Sequence, residues 1–117
     1  MEWRGGGEDT PNTQTTTHTA TGDGAVKNVS VNGAKWFGLR VKGTGAAATT
    51  WVVNLRTSLT GAVGSYTDGI THANTTDGDG DQLTNSTPIV ANYFYVEVAS
   101  LTLGSATNIS VTVTAMN

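Results

Sequence analysis

From Asn108 to Ala115 the chain reads NISVTVTA, in which Ile109, Val111 and Val113 alternate with Ser110, Thr112 and Thr114. A period of two separates apolar from polar side chains only if the segment is a strand. The same pattern governs the other apolar stretches. In WFGLRVK, Phe37, Leu39 and Val41 share one face, opposite Trp36, Arg40 and Lys42. WVVNLRTSL predicts Trp51, Val53, Leu55 and Leu59 on a core face, with Val52, Asn54, Arg56 and Ser58 outside. NYFYVEVASL sets Phe94, Val96 and Val98 inward and Tyr93, Tyr95 and Glu97 outward. No apolar repeat near 3.6 residues runs long enough to make a helix. Threonine and valine, the prevalent β-branched residues, fit a pleated surface better than a helical one.

Turn signals divide these runs. Thr13–Thr21 is a polar strand rich in alternate threonines, closed by Gly22-Asp23-Gly24. A short strand over Val26–Val31 ends at Asn32-Gly33, a strong hairpin signal. A loose Gly43–Ala48 loop, a glycine turn, a strand from about Tyr66 to Asn74 bearing Ile70, a short piece at Gln82–Thr84 and a Leu103-Gly104-Ser105 turn complete the order. Strands separated by turns at roughly 8–12 residues predict a sandwich or barrel. The expected fold is all-β: about eight antiparallel strands in a two-sheet sandwich of jelly-roll type. Residues 1–12, MEWRGGGEDTPN, read as a flexible N-terminal arm, and residues 13–117 as a single domain. Trp3 and Arg4 are the residue types that anchor interfaces, so the arm is also a candidate for docking on a neighbouring subunit.

Composition removes several function classes. With no cysteine, disulfides, thiolate metal sites and thiol catalysis are excluded. Six basic and nine acidic residues give a net charge of −3, a poor match to nucleic acid. No apolar run is long enough to span a bilayer as a helix, and the start of the chain lacks an apolar signal region, so neither a membrane nor the secretory route is expected. His18 and His72 each sit among threonines with no serine elbow nearby, and read as surface strand residues rather than catalytic bases. Glu97 is an isolated acid on an outward face, not half of a carboxylate pair. The chain is therefore expected not to be an enzyme and to need no cofactor.

Thr76–Gln82 reads TDGDGDQ, with Asp77, Asp79 and Asp81 at alternate positions. This spacing begins a calcium loop, in which positions 1, 3 and 5 supply oxygens. Counting from Asp77 puts Gln82 where the loop requires glycine and Pro88 where it requires a bidentate glutamate. Counting from Asp79 puts Leu83 at position 5. Both registers fail, and a solvated acidic turn at one end of the sandwich is the expectation. A looser calcium site stays open as the alternative, because three close carboxylates repel one another unless solvated or metal-bound.

The outward aromatics carry more information. Trp36, Tyr93 and Tyr95 lie on the non-core side of their strands, with Arg40, Lys42 and Arg56 beside them. Trp, Tyr and Arg are enriched at interface centres, so these six residues, with Trp3 and Arg4, form the candidate interface set. The alternatives are that a second sheet or a loop covers the rings as ordinary core, or that Trp36, Tyr93 and Tyr95 stack on sugar rings.

The segments TTTHTATGDGAVKNVSV, KWFGLRVKGTG, TTWVVNLRTSLTGAVGSYT, TTDGDGDQ, ANYFYVEVASL and LGSATNISVTVTA span Thr13 to Ala115. In wording and in strand order, this span resembles a group of small capsid decoration (cement) proteins of tailed bacteriophages. The resemblance implies a β-sandwich subunit on the outer surface of the virion, made in the host cytoplasm, that bridges major capsid protein subunits. It implies self-association on the capsid as a dimer or trimer, and it brings no catalytic residues. MEWRGGGED does not fit the pattern. Thr/Gly-rich β-domains also occur in tail fibres and baseplates, which leaves a carbohydrate-binding module of a tail or adsorption apparatus as the alternative function.

Overall fold

The computed structural model describes residues 12–23, 29–74 and 79–116. They form β1 (Asn12–His18), β2 (Gly22–Asp23), β3 (Val29–Ala34), β4 (Trp36–Gly43), β5 (Thr50–Ser58), β6 (Thr67–Asn74), β7 (Gly80–Thr84), β8 (Ala91–Thr102) and β9 (Ile109–Met116). One sheet has the order β1-β9-β4-β7 and the other β2-β8-β5-β6, with β3 also on β8. β2 pairs with Val98 and Glu97, and β3 with Phe94, Tyr93 and Ala91, so the two lie end to end along one edge of β8.

The pairings are nested. β5 pairs with β6, β4 with β7, β2 and β3 with β8, and β1 with β9, all antiparallel. The chain is thus one long hairpin bent between β5 and β6. Rolling it up adds β4 to β9 and β5 to β8, which separates the strands into two facing sheets. This is the jelly-roll arrangement the sequence predicts.

The inner faces hold the side chains assigned there by alternation. Phe37, Leu39, Val41, Trp51, Val53, Leu55, Phe94, Val96, Val98, Ile109, Val111 and Val113 are all buried. Each large apolar side chain removed from water contributes roughly 1.5–3 kcal/mol. Phe37 of one sheet meets Phe94 of the other edge-to-face, with ring centroids 6.3 Å apart.

Five local expectations fail. Gly22-Asp23 is not a turn but the strand β2, paired with Val98 and Glu97. Leu59 is 56% exposed, because β5 ends at Ser58 and the alternation does not continue past it. Ser58 is buried rather than outward, its Oγ accepting from the N–H groups of Thr60 and Gly61 and pairing with Ser65 Oγ. Asn32-Gly33 is not a hairpin turn: β3 continues through it, its register on β8 shifting between Ser30 and Ala34. His18 is not a surface residue: it lies opposite Ile109 on the inner side of β1 and is buried. Of the expected arm, residues 1–11 lie outside the described residues, whereas Asn12 belongs to β1 and pairs with Ala115.

Candidate functional site

The six outward candidates do not share a surface. Trp36, Arg40 and Lys42 stand on β4, in the four-stranded sheet. They alternate there with buried Phe37, Leu39 and Val41 and so face away from the core. Arg56 on β5 and Tyr93 and Tyr95 on β8 stand on the other sheet, facing the opposite way. The core lies between the two groups. Trp3 and Arg4 lie outside the described residues.

On the five-stranded sheet the outward side chains are tied to one another. Arg56 Nη1 donates to Asp68 Oδ1 at 2.8 Å, and Nη2 to the Tyr66 carbonyl at 3.3 Å. Asn54 Nδ2 donates to Glu97 Oε1 at 3.0 Å, and Thr71 Oγ1 donates to Asn54 Oδ1 at 2.7 Å. Tyr66 meets Tyr95 edge-to-face, with centroids 4.7 Å apart. Burial works against the Arg56 charge, but Asp68, Tyr95 and Glu97 together outweigh it and raise its pKa. Burial, reinforced by Tyr95 and Tyr93, also raises that of Tyr66. Cross-strand pairs of this kind stabilise the sheet.

The four-stranded sheet is a threonine surface. Thr13, Thr15 and Thr17 of β1 lie opposite Thr114, Thr112 and Ser110 of β9, and Thr15 Oγ1 is 3.0 Å from Thr112 Oγ1. Arg40 and Lys42 are its exposed charges on β4, and half-buried Trp36 lies beside Met116 at one end.

Of the acidic stretch, residues 75–78, Asp77 among them, lie outside the described residues. Asp79 Oδ1 accepts from the Gly43 N–H at 2.8 Å, and Asp81 belongs to β7. Asp81 therefore lies in a strand rather than at the expected loop tip, because β7 begins at Gly80. Among the described residues, no three metal-ligating side chains come together. Gly80 packs against the edge-to-face pair of Trp51 and His72.

The sequence reading missed the feature that stands out in space. Leu59, Val63, Leu83 and Val90 are the exposed large apolar residues among those described. Leu59, Val90 and Ile89 line a groove of about 420 Å³. It runs through Thr57, Thr67 and Ile89 into a second groove of about 460 Å³, which Leu83 and Pro88 help to line.

The walls of this end are fixed by polar contacts. Asn85 Oδ1 accepts from Phe37 N–H at 2.9 Å, and its Nδ2 donates to the carbonyls of Lys35 and Thr87. Ile89 N–H donates to the Lys35 carbonyl, and Asn92 Nδ2 to that of Leu59. Asn12 is at this same end of the sandwich, since Ala115 pairs with both Asn12 and Phe37. The available signal was the end of β5: once the strand stops at Ser58, Leu59 has no core to enter. No protein family, curated protein or solved structure matches the chain.

Proposed function

We propose that this chain is a virion structural protein that decorates a bacteriophage capsid and stabilises it by bridging major capsid protein subunits on the outer surface. The observation that carries the reading is the apolar end, where Leu59, Ile89 and Val90 line a groove whose walls are held by Asn85, Asn92 and Ser58. An exposed apolar patch on a soluble domain marks a contact surface, and one fixed in advance loses little freedom on binding. Asn12, where residues 1–11 join the domain, is at this end of the sandwich too. A capsid repeats each site many times, so modest contacts become effective once a subunit touches several neighbours. The resemblance over Thr13–Ala115 supports the same assignment.

The carbohydrate alternative required Trp36, Tyr93 and Tyr95 as one stacking platform. They stand on opposite faces, and nothing else favours that reading. The test is co-sedimentation with purified phage heads that lack the protein. Wild type is expected to pellet with heads, and a Leu59→Ser/Val90→Ser variant to lose occupancy at unchanged melting temperature. Failure of the wild type to pellet would refute the assignment.

A further inference from the structure

Four sheet edges are open among the described residues: β1 and β7 flank one sheet, and β6 and the β2/β3 pair flank the other. An open edge presents unpaired N–H and C=O groups, and proteins ordinarily blunt it with a charge, a proline, a bulge or a break. Three of these edges are blunted. β6 shifts register against β5 between Leu55 and Arg56 and carries Asp68. β7 shifts register against β4 between Leu39 and Val41. β3 shifts register on β8 between Ser30 and Ala34.

β1 has none of these devices. Its sequence NTQTTTH holds no Asp, Glu, Lys, Arg or Pro, and all seven residues pair with β9 without a shift. In such a strand alternate residues point their backbone groups to the open side. The residues are also self-complementary. Turned antiparallel about Thr15, β1 sets Thr13 against Thr17 and Gln14 against Thr16, with Asn12 against His18 and Thr15 against itself. Cross-strand threonine pairs are favourable, and no like charges meet. An unbroken, uncharged strand that sets threonine against threonine at three of its seven positions when paired with its own reverse fits a second copy.

We infer that β1 is a homodimer edge, pairing antiparallel with the β1 strand of a second copy about a two-fold axis at Thr15. The contact is isologous, as closed dimers are. It joins two four-stranded sheets into one continuous sheet whose outer face is threonine from both subunits. The apolar grooves lie away from this edge, beside β6 and β7, and stay open in both copies. The inference does not depend on the capsid assignment.

Sedimentation velocity of the full chain over a wide concentration range tests it. The wild type is expected to dimerise. Thr15 is exposed and faces outward, so Thr15→Lys and Thr15→Glu each leave the fold intact and set two like charges on the axis. Each should weaken the dimer by about tenfold or more. Mixing the two variants in equal amounts should restore it, a result that misfolding cannot mimic. A wild type that stays monomeric up to millimolar concentration overturns the inference, as does a Thr15→Lys variant that dimerises like the wild type. Head pelleting of the same variants separates the two ideas: a monomeric chain that still pellets removes the dimer alone, and a dimer that does not pellet removes the capsid role alone.

Discussion

Gly80→Ala is the sharpest test of the packing argument, because it adds one methyl group at a point where the core has no room. A Cβ built at Gly80 would lie 2.6 Å from His72 Nε2 and 2.7 Å from Trp51 Cζ2, and it also meets Trp51 Cη2. Carbon atoms ordinarily sit about 3.5–4.0 Å apart, so the shortfall is close to 1 Å. The imidazole is half-buried, and Trp51 is 1% exposed and held on all sides. Overpacking of this kind costs about 1–3 kcal/mol. The glycine has no positive φ, so alanine is allowed there and recovers about 0.4–1 kcal/mol through the unfolded chain. The expected net loss is about 1–2 kcal/mol, or a fall in melting temperature of about 4–8 °C for a domain of this size. Urea unfolding followed by far-ultraviolet circular dichroism should show a lower midpoint at an unchanged slope. Trp51→Phe removes the part of the indole that the methyl meets, so in that background Gly80→Ala should cost much less. The two substitutions are then coupled by about 1 kcal/mol or more. An equal cost in both backgrounds would refute the steric account, as would a Gly80→Ala change within about 0.5 kcal/mol of zero.

Three other substitutions probe polar contacts. Burial lowers the pKa of His18 below its ordinary 6.5, so the unfolded chain binds the proton more readily and stability is lost as pH falls below that value. Urea midpoints of wild type and His18→Asn should therefore diverge between neutral pH and pH about 5, the wild type losing more, and a constant difference would contradict the reasoning. Ser58→Ala removes the acceptor for the Thr60 and Gly61 N–H groups at the base of the 59–66 loop, and should cost about 1–2 kcal/mol in urea unfolding, with faster amide exchange in that loop. Arg56→Ala breaks the contact to Asp68, but with side chains 26% and 52% exposed the pair is screened by water. A double-mutant cycle with Asp68→Ala should give about 0.5–1 kcal/mol and shrink in high salt.

Strands were legible in this sequence wherever one face is apolar. Alternation in β4, β5, β8 and β9 identified the buried residues almost one for one, because burial on one side of a sheet imposes a period of two. It could not say which sheet a strand joins. An outward residue looks the same in either sheet, and the pairings that decide the matter, β4 with β9 and β5 with β8, link segments far apart in the chain. Trp36 and Tyr93 were grouped for that reason and stand on opposite faces. The periodicity also failed at strand ends, where Leu59 and Ser58 exchange the burial expected of them as the backbone leaves the sheet.

The aspartate–glycine stretch shows the same limit from another side. Its spacing raised a metal loop and a turn as rivals, and both readings treated the residues between 76 and 82 as one local unit. In space they are divided by what they touch. Asp79 satisfies a backbone N–H at the end of β4, Gly80 gives up a side chain so that Trp51 and His72 can close the core, and Asp81 extends β7 along an open edge. Each role is set by a partner more than seven residues away, on β4, β5 or β6. The glycine, which a turn reading explains by conformational freedom, has no positive φ and is needed for the space it leaves empty. Replacing Asp79 and replacing Gly80 should therefore have separable effects. The first loosens one hydrogen bond at the rim, and the second strains the core.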